Sequence, residues 1–170
     1  MITKLDSQFA ELPVVTTDGV FVARYSAGGL SGLDFPSIRN NSKNSAVATP
    51  ANVRRWHRLT SKAVNKILGG QIPTELPPMD LSCGTEFQLS VWKSLLKIKP
   101  GRTQSYGEIA KSIGKPKALR AVGGACGANP IPLLMPCHRV LAANRKIGGF
   151  SGGLGWKEKL LLLEGVSVIG

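Results

Sequence analysis

The chain has 170 residues, enough for one medium domain or two small ones with a buried core. Its composition, 42% hydrophobic and 19% charged residues, is typical of a soluble globular protein. No apolar run approaches the roughly 20 residues that span a bilayer, and residues 1–30 lack a basic start followed by an apolar stretch. We therefore expect an intracellular protein that is not secreted and has no membrane partner.

Positive charge is concentrated in the second half of the chain. Residues 1–82 contain 9 Lys and Arg against 6 Asp and Glu, whereas residues 83–170 contain 13 against 4. This imbalance favours a polyanion such as nucleic acid as the partner, and a solvated, solubilising surface is the alternative.

The first half has the pattern of a small α+β unit. Residues 20–25 alternate in a β-like way, with Phe21, Ala23 and Tyr25 on one side. Gly28-Gly29 offers a tight turn, and residues 30–35 carry a second apolar face, so the segment predicts a β-hairpin. The polar residues 39–44 predict an exposed loop.

A helix is predicted next. Thr49-Pro50 supplies an N-cap and a first-turn proline, apolar residues recur at helical spacing to Leu68, and Gly69-Gly70 ends the helix. Prolines between residues 73 and 78 mark a linker. We therefore expect an N-terminal domain over residues 1–80, structural or regulatory, and a second domain over residues 81–170.

The second half is predicted to be mostly helical. Apolar spacing over residues 87–98 indicates an amphipathic helix, and Ser105 and Glu108 have capping-box spacing at the start of a short helix that ends near Gly114. After a brief turn, another helix is expected from about Lys117 to Gly127. The pair is typical of a helix-turn-helix, although many helical hairpins share the pattern.

Small residues crowd the second of those helices, at a cost of about 1 kcal/mol for each interior glycine relative to alanine. Such a face permits the close approach of a neighbouring helix or of a nucleic-acid backbone. Arg120 lies where it could project into DNA. The small residues are Ala118, Ala121, Gly123, Gly124 and Ala125.

The segment Pro136-Cys137-His138-Arg139-Val140 carries candidate chemistry. A thiolate is the nucleophilic form of cysteine, an imidazole can take its proton, and a carboxylate can orient the imidazole. Glu164 is a candidate carboxylate because it lies unfavourably at a helix C-terminus, where a hydrogen bond from a histidine would compensate. A chance Cys-His pair and an exposed glutamate are the alternatives.

Several segments match a known pattern in order and spacing: Thr103-Gln104-Ser105-Tyr106-Gly107-Glu108-Ile109-Ala110, Ala118-Leu119-Arg120-Ala121-Val122-Gly123, Asn129-Pro130, Pro136-Cys137-His138-Arg139-Val140 and Gly148-Gly149-Phe150-Ser151-Gly152-Gly153. They resemble the 6-O-alkylguanine-DNA alkyltransferase family (methylated-DNA–protein-cysteine methyltransferases). The resemblance covers roughly residues 80–166 densely and the N-terminal half only loosely.

The resemblance implies an α+β protein, with a small N-terminal α/β-hairpin domain and a mostly helical C-terminal domain with a winged-helix-like helix-turn-helix. It implies direct repair of duplex DNA, in which a methyl group moves irreversibly from 6-O-alkylguanine, less well from 4-O-alkylthymine, to a cysteine after base flipping. The partner would be the minor groove of double-stranded DNA. The protein would be a cofactor-free monomer, cytoplasmic and nucleoid-associated or nuclear.

The resemblance also implies catalytic roles. Cys137 would accept the alkyl group, His138 would act through a bound water as its base, and Glu164 would orient the histidine. Asn129 would brace the turn before the active-site strand, and Tyr106 would donate a hydrogen bond to the leaving guanine.

Substrate and DNA contacts are implied in the same way. Arg120 would enter the base stack, the backbone carbonyls of Cys137 and Val140 would read the exocyclic amine, and the Ser151 amide would meet the guanine oxygen. Further substrate-binding positions are Phe150, Gly152 and Pro132. Further DNA-binding positions are Ser105, Lys117, Ala118, Ala121, Gly123 and Gly124.

Two features depart from some members of the family. Phe150 stands where tyrosine is more usual, so the pocket wall keeps its ring but loses a hydroxyl, and we expect transfer to be retained. The remaining soft ligands, His57, Cys83 and Cys126, are too few for a closed zinc site, so we expect no metal.

Three other functions are considered. A lesion sensor that flips the base without transfer would lack the acceptor Cys137. A helix-turn-helix regulator would not need a Pro-Cys-His-Arg segment, and a cysteine hydrolase would not need the family spacing.

Overall fold

The computed structural model describes residues 10–38 and 48–169. The chain divides into two compact units, Met1–Ile67 with Gln71–Ser82, and Leu68–Gly70 with Cys83–Gly170. The expected mixed α+β class is confirmed. No helix in the described residues is long and apolar enough to cross a membrane. The predicted loop over residues 39–44 lies outside the described residues.

The first unit contains a three-stranded antiparallel sheet in the order β1-β2-β3. Strands β2 (Gly19–Ser26) and β3 (Gly29–Asp34) form the predicted hairpin, and its inward-facing Phe21 and Tyr25 are fully buried. Strand β1 (Ala10–Thr16) was not predicted, because Pro13 interrupts its pattern. Proline is tolerated there since β1 lies at the edge of the sheet.

Helix α1 (Ala51–Leu68) completes the first unit. The Pro50 carbonyl accepts the first helical bond, from the amide of Arg54 at 3.0 Å, so the helix begins one residue later than the sequence predicts. Its apolar face is buried, as the periodicity predicts, through Val53, Trp56, Ala63, Val64 and Leu68.

The second unit holds the remaining helices: α2 (Glu86–Leu95), α3 (Tyr106–Ser112), α4 (Leu119–Gly127) and α5 (Leu154–Leu163). Two short parallel strands, β4 (Gln104–Ser105) and β5 (Val140–Leu141), bring the start of α3 beside the segment that follows Cys137. The predicted capping box of Ser105 and Glu108 is present at the start of α3.

Helices α3 and α4 form the helix-turn-helix. Residues 113–118 separate them, a longer turn than predicted, because α4 begins at Leu119 rather than near Lys117. The buried face of α4 comprises Val122, Ala125 and Cys126, and the indole of Trp92 on α2 donates a hydrogen bond to the Ala125 carbonyl at 2.8 Å. This packing fixes α4 against α2 and leaves its glycine-rich face outward.

Candidate active site

The loop between α4 and Cys137 is held by Asn129. Its side-chain amide donates to the Met135 carbonyl at 2.7 Å, and its carbonyl oxygen accepts from the Ile131 amide at 2.9 Å. Leu133 in this loop has a φ of 70°, a left-handed conformation that is costly for a side chain with a Cβ. The two bonds from buried Asn129 close the loop around this residue.

Cys137 lies on a short 3₁₀ turn, Cys137–Arg139, and not on the strand that we expected. Strand β5 begins only at Val140, whose amide donates to the Cys137 carbonyl and ends the turn. In a 3₁₀ turn adjacent side chains diverge by about a third of a turn. The turn lets Cys137 and His138 serve one site although they are neighbours in sequence.

The Cys137 side chain is 4% exposed and lines a cavity of about 260 Å³. The cavity opens beside the glycine-rich face of α4. Its lining is formed by Tyr106, Gly123, Cys126, Gly127, Cys137, Gly149, Phe150 and Ser151.

Burial raises the pKa of the Cys137 thiol above its ordinary value, opposed by a hydrogen bond from the side chain of Asn129 and by the charge of Lys157. The thiol rather than the thiolate is therefore the resting form near neutral pH. The apolar walls disfavour the anion more than the nearby donors favour it.

His138 is fully buried, and its Nε2 lies 3.0 Å from Oε1 of Glu164. Burial lowers the pKa of His138, so the ring is neutral near pH 7. A neutral ring that donates from Nε2 to the carboxylate keeps its lone pair on Nδ1. That atom is buried and has no hydrogen-bond partner among the described residues. The arrangement provides a free base at Nδ1.

Glu164 caps the C-terminus of α5 and is bound by two cationic or polar partners in addition to His138. The guanidinium of Arg139 contacts both carboxylate oxygens, with Nε at 3.0 Å from each and Nη2 at 2.7 Å from Oε1. The Gly101 amide donates to Oε2 at 3.2 Å. Burial alone would raise the pKa of Glu164, but the bonds from His138 and Arg139 lower it to about 2.

Lys157 on α5 is a site residue that the sequence analysis missed. Its side chain is fully buried, and Nζ donates to the carbonyls of Val140 at 2.7 Å and Gly149 at 3.1 Å. Burial lowers the pKa of Lys157 to about 8, opposed by its attraction to Cys137 and Cys126. The lysine places a positive charge near both thiols and ties β5 to the glycine-rich loop. Three consecutive charged residues, Lys157-Glu158-Lys159, are typical of an exposed surface, so the sequence does not predict that Lys157 is buried.

Tyr106, the first residue of α3, faces the cavity. Burial raises its pKa, and the neighbouring Cys126 and Cys137 raise it further, so its hydroxyl keeps its proton as a donor. Gly148 has a φ of 67°, and a Cβ there would lie 3.2 Å from the Tyr106 hydroxyl oxygen. Glycine at this position therefore allows the loop to approach the hydroxyl closely.

Only some of the other predicted substrate-binding residues line the cavity. Phe150 and Ser151 line the cavity with Cys137, whereas the buried Pro132 and the half-buried Gly152 are not part of its lining. The Val140 carbonyl, predicted to read the base, accepts a hydrogen bond from Lys157.

The predicted DNA-binding residues lie along α4 and the turn before it, except Ser105, which is the N-cap of α3. Arg120, Lys117, Ala121 and Gly124 are exposed, and Gly123 lines the cavity. A Cβ added to Gly124 would meet no atom within 4 Å, so no helix of the described residues packs against that part of the small-residue face. The helix-packing alternative for Gly124 is therefore wrong.

All three cysteines are free; Cys126 is buried in the cavity wall and Cys83 is exposed. Within residues 10–38 and 48–169, no group of three or more His, Cys, Asp or Glu side chains could hold a metal ion.

Together, α3 and α4 with their outward glycine-rich face, and a cavity lined by Cys137 beside the hydrogen-bonded pair of His138 and Glu164, define a helix-turn-helix protein with a buried candidate nucleophile. The sequence profile for the "6-O-methylguanine DNA methyltransferase, DNA binding domain" matches residues 86–166. A methylated-DNA–protein-cysteine methyltransferase of Methanosarcina acetivorans is 60% identical over 82 residues, which is 48% of this chain and 53% of the relative. Its counterpart in Mycobacterium bovis is 50% identical over 101 residues, 59% of this chain and 61% of the relative.

Solved structures extend the similarity to both halves. Mycobacterium tuberculosis OGT in complex with DNA is 37% identical, with a TM-score of 0.72, over 89% of this chain and 90% of that one. The methyltransferase of Methanococcus jannaschii is 26% identical, with a TM-score of 0.66, over 94% of this chain and 96% of that one. The chain therefore belongs to the methylated-DNA–protein-cysteine methyltransferase family. Its match spans about half to three fifths of the length of the curated relatives.

Proposed function

We propose that this protein repairs duplex DNA by moving the alkyl group of 6-O-alkylguanine, and less well of 4-O-alkylthymine, onto Cys137. The observation that carries the proposal is the position of the Cys137 sulfur in a cavity that opens beside the outward face of α4. A sensor that only recognises the lesion needs the cavity but not the thiol. The charge of the second half of the chain supplies attraction for the DNA backbone.

The first step brings the lesion into the cavity. An alkyl carbon inside the stack is out of reach, so the nucleotide must rotate out of the duplex, which costs a few kcal/mol. Gly123 and Gly124 let the minor-groove backbone approach α4 closely. Arg120 is exposed on the same helix and enters the vacated stack, where its planar cation offsets part of the cost.

The chemical step forms a sulfur–carbon bond and breaks the bond between the alkyl carbon and the guanine oxygen. The thiol proton of Cys137 passes, by way of a water, to Nδ1 of His138, and Glu164 stabilises the imidazolium that results. Lys157 stabilises the thiolate. The guanine leaves as an anion, and the Tyr106 hydroxyl donates a hydrogen bond to it.

The product is a thioether at Cys137, which is a poor leaving group. A thioether resists hydrolysis, and the residues that line the cavity include no carboxylate or imidazole that could activate a water against it. Each chain therefore acts once. We propose that it does so as a monomer without a cofactor, in the cytoplasm or nucleus, with residues 1–80 in a structural or regulatory role and residues 81–170 carrying the chemistry.

The proposal is tested with a duplex that carries one radiolabelled 6-O-methylguanine. Label should move to the natural protein and to the peptide that contains Cys137. The Cys137→Ala variant should take up no label while it binds the duplex with unchanged affinity, because the basic surface is untouched. Label on another residue, or full transfer by the variant, would overturn the assignment of the acceptor.

A further inference from the structure

A forty-residue stretch of the first half lacks acidic residues. Between Asp34 and Glu75 the sequence has no Asp or Glu, although it has seven Lys and Arg. The net charge of residues 1–82 does not reveal this segment, because the acidic residues of the first half lie on either side of it. Five of the seven cations are on α1: Arg54, Arg55, Arg58, Lys62 and Lys66.

These cations lie on one face of α1. Residues four apart on a helix are neighbours, so Arg54, Arg58, Lys62 and Lys66 form a line, with Arg55 beside its first turn. All are exposed except Lys66, which is half-buried. The opposite face of the helix is buried in the first unit. We call these five side chains the α1 basic stripe.

The stripe is unfavourable for folding. Like charges four residues apart destabilise a helix, and the stripe contains three such pairs in succession. No acidic side chain on α1 offsets them. A helix face that served only solubility would mix the two signs. The arrangement therefore indicates an external polyanion that compensates for the repulsion.

We infer that the α1 basic stripe binds the phosphate backbone of double-stranded DNA, as a second contact separate from the α4 surface. From Arg54 to Lys66 the stripe is roughly 18 Å long at 1.5 Å per residue. That length matches about five phosphates of one strand at 3.4 Å each along the duplex axis. The contact is independent of sequence and of the lesion, and it lengthens the time the protein spends on DNA.

Duplex DNA is chosen over other polyanions because the proposed function already places it at the second unit, and the inference rests on that function. Each phosphate contact releases counterions, so its signature is the dependence of affinity on salt. The test compares the natural protein with R55Q/R58Q/K62Q on an undamaged 40-base-pair duplex over a range of salt concentrations. Arg54 is left unchanged because its guanidinium donates to the Thr49 carbonyl at 2.7 Å.

A matched control changes the net charge equally and leaves the stripe intact. The variant T17E/Q71E/T74E alters three exposed polar positions of the first unit outside α1. A charge-conserving variant, R55K/R58K/K62R, separates charge from side-chain shape. Circular dichroism and the melting temperature check that all three variants are folded.

We expect R55Q/R58Q/K62Q to reduce the slope of log affinity against log salt by about 2 to 3, close to 0.9 for each lost contact. The charge-conserving variant should keep the natural slope, and the control should change it much less. Equal slopes in R55Q/R58Q/K62Q and the control would overturn the inference. Methyl transfer by the natural protein is measured separately. If transfer occurs but the slopes are equal, the stripe inference fails and the proposed function stands; if no transfer occurs, the proposed function itself fails.

Discussion

At the scale of single residues, the surroundings of Cys137 favour the neutral thiol over the thiolate. Burial favours the protonated sulfur, and the charge of Lys157 and the amide of Asn129 oppose that effect. A thiol held in this balance does not react with stray electrophiles at the rate of an exposed thiolate.

Lys157 should control how readily Cys137 ionises. Replacing it with methionine removes the positive charge that favours the Cys137 thiolate, while keeping an apolar chain of similar length. We expect the rate of methyl transfer to fall by about 10- to 100-fold and its pH dependence to shift to higher pH. Stopped reactions over a pH series measure both, and Lys159→Met on the same helix is the control. An unshifted profile with a uniformly lower rate would indicate a purely structural role.

Glu164 should make stability depend on acid pH. The pKa of this carboxyl is lowered to about 2 in the folded protein from 4.5. Its contribution is therefore complete above about pH 4.5 and is lost as the pH falls toward 2, on the order of 2–4 kcal/mol. Denaturant unfolding of the natural protein and of Glu164→Gln at several pH values tests this. Parallel pH dependences in the two proteins would contradict the assignment.

Phe150 should permit transfer without the hydroxyl of the more usual tyrosine. The ring lines the cavity and supplies stacking and shape. We expect Phe150→Tyr to change the rate for a methyl substrate by less than about 10-fold, with a different ratio of methyl to benzyl rates. Background rates in the natural protein, restored by tyrosine, would show that the hydroxyl is required.

The residues of the site differ in how far the sequence predicts them. The bond between His138 and Glu164 follows from a carboxylate left at a helix C-terminus, where a donor is needed. The sequence analysis assigns Arg139 no role of its own, because nothing in its spacing predicts that its guanidinium donates hydrogen bonds to Glu164. Lys157 was missed since burial of a lysine depends on carbonyls that the fold brings from residues 8 and 17 positions away.

At the scale of elements, α4 combines two requirements in nine residues. One face packs through Val122, Ala125 and Cys126, and the other carries glycines with open space around them and the exposed Arg120. A helix with interior glycines is intrinsically weak, so the packing against α2 and α3 has to stabilise it.

Arg120 should act on the duplex and not on the chemistry. In Arg120→Ala we expect repair of duplex DNA to slow by about 10-fold or more, while the reaction with free 6-O-methylguanine base keeps its natural rate. Lys117→Ala, which removes an exposed cation and leaves Arg120 in place, should weaken binding to all duplexes alike. Unchanged repair of duplex DNA by Arg120→Ala would refute the proposed role of Arg120 in filling the stack that the rotated nucleotide vacates.

Local signals predicted the elements that depend on local chemistry. The Ser105 capping box and the β2–β3 hairpin were found because their residues contact one another within a few positions. Strand β1 is defined by its pairing with β2, and the length of the turn before α4 is defined by tertiary packing. Neither is visible in a short window of sequence.

At the scale of the whole molecule, two units of different charge pattern occur in one chain. The second unit carries the helix-turn-helix and the cavity lined by Cys137, and the first carries a sheet and a helix with the α1 basic stripe. Both halves match solved relatives, so the N-terminal unit is part of the family fold, although its sequence showed the resemblance only loosely.

The central claim is that the chain itself is the acceptor and is used up. The most direct measurement is the intact mass of the protein after incubation with an excess of duplex that contains 6-O-methylguanine. We predict that every active chain gains one methyl group, located on Cys137, and that the amount of repaired DNA equals the amount of protein. An unchanged mass, or repaired lesions in large excess over protein, would contradict the account.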